Sequence, residues 1–250
     1  FNIIYYRYVF TATNFRNDGS DLALQGVLSH LIYKFSATDA IKQNYLCKPK
    51  FIFLKYSHSQ QKQNTSPNAQ FLLSLLKQMQ NEYKVGIIEN VDYNQTVALL
   101  GAYLNKEKIP TIIFVDQIAH GETLNKLIPD SKFINGTEKS DINAEMLKDF
   151  NNGVFNVLIG TSIIGEGVDT VRAQVGIIAG GGKAKTDIIQ KIGRLLRPHE
   201  DKKEAFIIDF AHENSYFLNK HYKKRKEIYE EYQSDILYCE IKEIENIIKK

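Results

Sequence analysis

Residues 157–198 read VLIGTSIIGEGVDTVRAQVGIIAGGGKAKTDIIQKIGRLLRP, and this stretch decides the fold. On a helix of 3.6 residues per turn, Asp187 to Arg197 gathers Ile188, Ile189, Ile192, Leu195 and Leu196 on one side. Gln190, Gly193, Arg194 and Arg197 gather on the other. A glycine inside that polar face costs about 1 kcal/mol of helix stability relative to alanine, so something is expected to approach the backbone there. The two guanidiniums beside it suit a multiply charged anion, because each fork donates two parallel hydrogen bonds to phosphate oxygens. On an arbitrary helix, solvated arginines on an outer face would be the default reading. The preceding segment shifts the balance. Val157–Ile159 reads as a short buried strand, and Thr161–Asp169 follows it with two glycines and an acid, a loop at a strand's carboxyl end where α/β sheets place ligands.

Working outward, the β-branched run Ile109–Val115 predicts a parallel strand covered on both faces. A helix is expected over Asp116–Leu127, a strand over Lys132–Ile134, and a helix over Ser140–Phe150 stopped by Asn151-Asn152-Gly153. This rhythm predicts right-handed βαβ units and an α/β, doubly wound, mainly parallel sheet with helices on both faces. Val157–Ile159 is expected as the central strand, Val175–Ala179 as the next and Ala205–Asp209 as the last. Upstream, Tyr5–Phe10 reads as a strand, Thr38–Asn44 as a short helix and Phe51–Tyr56 as a strand, with a boundary near Pro49. Helical spacing resumes over Phe71–Met79 and again over Val91–Lys106, for which Asp92 and Asn94 are cap candidates. His212–Tyr232 is expected as one helix that sets Lys220, Lys223, Lys224, Arg225 and Lys226 beside Tyr216, Phe217, Tyr222 and Tyr229. Such a mixture can track a nucleic-acid strand, or it is a solvated face balanced by Glu227, Glu230 and Glu231.

The 250 residues are 43% hydrophobic and 24% charged, enough for one or two cores and far from a disordered composition. A net charge of +3 permits nucleic-acid binding without arguing for it. Cys47 and Cys239 lie too far apart for a C-x-x-C pair, and the six histidines show no metal-ligand spacing, so no metal site is expected. No apolar run reaches membrane-spanning length, and no signal-type segment opens the chain, so an intracellular protein without membrane contact is expected. The Gly180–Thr186 stretch is not a P-loop: Ile177 stands where the first glycine belongs and Ala184 where the hydroxyl residue belongs.

Thr161, Gly165, Gly167 and Asp169 resemble the fifth motif of superfamily 2 helicases, and Gln190, Gly193, Arg194 and Arg197 resemble the sixth, Q-x-x-G-R-x-x-R. Thr11-Ala12-Thr13 resembles the third motif, with Asn14 where relatives usually carry proline, and Phe114–Asp116 resembles the fourth. The likeness runs from Tyr8 to about Phe210 and is closest to the DNA repair, phage recombination and restriction-translocase branch. It implies a RecA-like domain over residues 49–211, preceded over 1–48 by the end of a first RecA-like domain and followed over 212–250 by a helical extension. It also implies ATP between the two domains, with Mg2+ held mainly by a first domain whose P-loop and acidic motif this sequence does not show. In that resemblance Arg194 and Arg197 would act as arginine fingers on the γ-phosphate and Gln190 would hold the adjoining phosphate or water. Gly165, Gly167, Asp169 and Gly193 would line the nucleotide, Asp169 on the ribose. Thr161 would touch the nucleic acid, DNA favoured over RNA; Gly136 and Thr137 lie where the relatives do so, and a turn that only turns is the other reading there. Thr11, Ala12 and Thr13 would couple the two sites. Two rival classes stand beside a helicase or translocase. One is a noncatalytic helicase-like adaptor; the other is a Rossmann-type small-molecule enzyme, whose glycine fingerprint is incomplete here.

Overall fold

The computed structural model describes residues 32–57, 71–161, 170–200 and 202–249. In chain order its elements begin with α1 (Ala37–Lys42), β1 (Lys48–Ser57) and α2 (Phe71–Tyr83), which runs into a π-helical turn, Lys84–Ile88. Then come α3 (Val91–Lys106), β2 (Thr111–Phe114), α4 (Ile118–Leu127), β3 (Lys132–Ile134), α5 (Ser140–Asn151) and β4 (Val157–Gly160). The chain closes with β5 (Val175–Ile178), α6 (Lys185–Leu195), β6 (Glu204–Glu213), α7 (Tyr216–Glu230), β7 (Ile236–Cys239) and α8 (Ile244–Ile248).

The strands form one sheet in the order β3-β4-β2-β5-β6-β1-β7, and every pairing is parallel. Successive residues of β2, and Val115 just after it, point to opposite faces: Ile113 and Val115 join the core under α3, α4 and α8, while Ile112 and Phe114 join the core under α5, α6 and most of α7. Each face is therefore apolar, which is why the strands read as continuous hydrophobic runs rather than alternating ones. Connections that run toward β3 carry their helices on one face and those that run toward β7 carry them on the other, as a single crossover hand requires. The chain order reverses between β2 and β5, so the gap between their carboxyl ends is the topological switch point.

The doubly wound parallel sheet and its helices are as expected, with four differences. Val157–Ile159 lies in β4, next to the edge strand β3 and not at the centre, because β2 rather than β4 pairs with β5. A seventh strand, β7, lies within residues expected to be helical and pairs with β1 at Phe51–Leu54. His212 belongs to β6, and α7 starts only at Tyr216. The cap of α3 is Asn90, whose Oδ1 accepts from the Tyr93 amide at 2.9 Å; Asn94 instead is buried and donates to the Ile87 and Ile88 carbonyls of the π-helical turn. Gly153 after α5 has φ +79°, the left-handed stop expected of it. The first strand and Thr11-Ala12-Thr13 lie outside the described residues, as does the stretch 1–31 read as the end of another domain.

Candidate nucleotide and nucleic-acid site

The helix α6 forms as its pattern dictates: Ile188, Ile192 and Leu195 are buried against the sheet, and Leu195 fills the space that a side chain at Gly176 would need. On the outer face Gln190 is exposed, while Gly193, Arg194 and Arg197 are half-buried. Among the described residues, a Cβ built on Gly193 would meet nothing within 4 Å, so none of them covers the helix backbone beside the two arginines. The end of α6 is tied down at the amino edge of the sheet. The Leu196 carbonyl accepts from the Cys47 amide at 2.8 Å just before β1, and the buried Lys202 ammonium donates to the Val171, Ala173 and Leu195 carbonyls at 2.9–3.0 Å. Arg194 and Arg197 therefore stand near the amino ends of β1, β5 and β6.

Thr161, Gly136 and Thr137 stand at the other edge. Thr161 directly follows β4, Gly136 and Thr137 follow β3, and the Thr161 amide reaches the Ile134 carbonyl at 3.4 Å, so the structure brings these three together. Gly136 is exposed and meets no other described residue within 4 Å of a Cβ, whereas the Thr137 amide and hydroxyl both donate to Asn135 Oδ1, which closes the turn locally. The structure thus places Arg194 and Arg197 at one edge of the sheet and Thr161, Gly136 and Thr137 at the other. Gly165, Gly167 and Asp169 lie outside the described residues; Thr170, which follows them, is buried beside the amino end of β5.

At the switch point the chain holds a charged cluster that sequence reasoning missed. Lys191 is buried on the apolar side of α6, 3.2 Å from Asp116 Oδ1 and 2.8 Å from Asp187 Oδ2. Burial opposes its charge, and the two carboxylates outweigh that, holding the ammonium above its ordinary range. Asp116 also accepts from the Gly182 amide at 3.0 Å. A lysine three residues after Ile188 and four before Leu195 interrupts a buried stripe, and that was the available signal. Nearby, His120 is fully buried with neither ring nitrogen hydrogen-bonded; burial pushes its pKa down to about 4, against the pull of Asp116. Arg225 and Tyr229, offered above to a nucleic-acid strand, are instead wholly buried around Asp209, and Lys224 and Lys226 pair with Glu227 and Glu230. Among the described residues no three His, Cys, Asp or Glu side chains gather into a metal cluster, and no helix is long and apolar enough to cross a membrane.

An all-parallel doubly wound sheet, with β5 and β6 joined through a crossover helix that carries a glycine beside two arginines, marks a RecA-like domain. Residues 93–199 match the model of the helicase conserved C-terminal domain family, and the RecA-like fold is the one seen in the C-terminal domains of superfamily 2 helicases. The chain is 22% identical over 240 residues to a protein of the Sulfolobus islandicus filamentous virus provisionally named helicase 22, covering 90% of this chain and 41% of that one. It is 33% identical over 113 residues to the DNA 3'-5' translocase XPB2 of Sulfurisphaera tokodaii, covering 45% of this chain and 24% of the relative. Among solved structures, a fragment provisionally assigned as the HsdR subunit of a type I restriction enzyme from Vibrio vulnificus superposes with TM-score 0.63 at 16% identity, covering 92% of this chain and 42% of that one. The chain thus spans less than half the length of each relative that it matches here.

Proposed function

We propose that this chain is the C-terminal part of an ATP-dependent DNA helicase or translocase, and that it completes an ATP site whose P-loop and Mg2+ ligands belong to a first RecA-like domain. The observation that carries this reading is the outer face of α6, where the Gly193 backbone, uncovered by any described residue, lies beside Arg194, Arg197 and an exposed Gln190. Open space over a helical glycine fits the approach of a nucleotide carried by another domain. In this reading Arg194 and Arg197 neutralise charge that develops on the γ-phosphate, an effect worth on the order of a thousandfold in rate. Gln190 orients the adjoining phosphate or water, Asp169 accepts from the ribose, and Gly165 and Gly167 admit the nucleotide close to the backbone. Thr161, with the Gly136–Thr137 turn, grips the nucleic-acid backbone at the opposite edge, and Thr11-Ala12-Thr13 couples that grip to ATP turnover. The sheet between the two sites makes this a linkage through a rigid body: closure that brings a nucleotide to α6 also reorients the strand-exit turns. DNA is favoured over RNA because the archaeal relative is named a DNA translocase. Such a motor works where ATP and nucleic acid meet, inside the cell.

The test uses the chain joined to its first domain. Arg197→Ala is expected to abolish ATP turnover while DNA affinity, read by equilibrium titration across a salt series, stays within about twofold. The chain by itself is expected to show no turnover. Equal loss of turnover and affinity would make Arg197 structural, turnover by the isolated chain would move the nucleotide site elsewhere, and RNA binding tighter than DNA would reverse the substrate. Nucleic-acid binding with no turnover in the joined protein would establish a noncatalytic adaptor.

A further inference from the structure

The bend Ala179–Gly182 is the joint from which α6 leaves the sheet, and side chains from three sides grip it. Tyr93 of α3 donates its hydroxyl to the Ala179 carbonyl at 3.0 Å. Asp116, just beyond β2, accepts from the Gly182 amide. On α7, His221 Nδ1 lies 3.2 Å from the Gly181 carbonyl and Arg225 Nη1 donates to the Gly182 carbonyl at 2.8 Å. Arg225 is itself fixed by a two-point fork on Asp209, Nε to Oδ2 at 2.7 Å and Nη2 to Oδ1 at 2.8 Å. Tyr229 Oη donates to Asp209 Oδ2 at 2.7 Å and the Phe210 amide to Oδ1 at 2.6 Å. Asp209, Arg225 and Tyr229 are all fully buried.

The joint needs such a grip because its backbone is soft. It holds three consecutive glycines: Gly180 has no room for a side chain, since a Cβ would lie 2.4 Å from the Asp116 carboxyl carbon, and Gly181 has φ +73°. Glycine loses more conformational freedom on folding than any other residue, so without side-chain anchors this segment would sample many directions. A buried ion pair is weak evidence of added stability compared with an apolar substitute of equal volume. What this one does that an apolar pair could not is hold a backbone carbonyl in place.

We infer that Arg225 is a positioning residue: by fixing the Gly182 carbonyl from the Asp209 fork, it sets the direction in which α6 leaves the sheet and so the stance of Gln190, Arg194 and Arg197. The inference rests on the proposed role of α6 at ATP, and two measurements separate them. The first is hydrogen exchange on this chain with Arg225→Lys, which keeps a charge but loses the fork. Amides of α6 are expected to exchange about tenfold faster while those of α3 are unchanged. No change in α6, or an equal rise in α3, overturns the inference. Should Arg225→Lys fail to fold, Tyr229→Phe removes only the hydroxyl bond to Asp209, and the same selective, smaller loosening is expected. Its absence overturns the inference. The second measurement is turnover in the joined enzyme, where Arg225→Lys is expected to lower kcat about tenfold with KM for ATP nearly unchanged. Loosened α6 with unchanged kcat leaves the clamp standing and removes α6 from catalysis, which sinks the proposed function instead.

Discussion

Two helical glycines show how one residue type answers to opposite demands. Gly121 of α4 faces the Phe133 ring, and a Cβ there would lie 2.2 Å from Cε2. The ring cannot yield without moving β3, so Gly121→Ala is expected to cost about 1–3 kcal/mol of stability, read as a lower urea midpoint. Gly193 meets no described residue, so Gly193→Ala is expected to stabilise the isolated chain by about 0.5–1 kcal/mol while lowering ATP turnover in the joined enzyme. A gain in stability without loss of turnover would show that nothing approaches that backbone. His120 gives a pH prediction. Its folded pKa, about 4, lies below the ordinary 6.5, so between those values the unfolded chain binds the proton that the folded chain refuses. Stability is then full above pH 6.5 and is lost as pH falls toward 4, by about 3 kcal/mol from this residue. The groups that face it are Asp116, which resists the shift, and the Tyr93 ring of α3. His120→Leu is expected to flatten this acid limb in urea titrations at stepped pH. None of these roles was legible in the chain, because an isolated glycine or histidine says nothing of the ring or carboxylate that another element brings to it.

At the scale of elements, helix and strand periodicities carried most of the assignment. Lys132–Ile134 is a strand as read, and the helices α3 and α5 begin where read and end within a residue of it. The stripe of α6 was legible because five apolar side chains repeat at helical spacing, yet its attachment was not. Lys191 with Asp116, and Arg225 with Asp209, are pairings across 75 and 16 residues, and periodicity is blind to them. Arg225 was therefore taken for a surface charge among its lysine neighbours. Asp209→Asn tests the depth of that pairing: it leaves a buried guanidinium without its counter-charge and is expected to cost about 3–5 kcal/mol in denaturant unfolding, far above the near-zero cost of Glu230→Gln on the exposed side of α7.

For the whole molecule, the sheet class was legible but its strand order only partly so. Strand β7 escaped notice because Ile236–Cys239 is short, half-exposed and set among turn residues, so neither alternation nor continuous burial marks it. It nonetheless covers the outer edge of β1, and Cys239, Ile244 and Ile248 behind it enter the core beneath α3. Ending the chain after Gln233 is expected to expose that edge and yield aggregate rather than monomer in size-exclusion chromatography. The outward placement of Gln190, Gly193, Arg194 and Arg197 on α6 was legible, since it follows local helical spacing. The separation of Arg194 and Arg197 from Thr161 across the sheet was not, since it depends on which end of each strand a loop leaves.

The pairing of β1 with β6 joins Lys48–Ser57 to Glu204–Glu213 across ten register positions. Until β6 and β7 have been synthesised, the apolar run Phe51–Leu54 has no strand beside it. Closing so long a loop is slow, and an unpartnered strand is sticky while it waits. Nascent chains of this protein should therefore depend on holdase chaperones, and yield should respond more to translation speed and temperature than to the final stability of the domain.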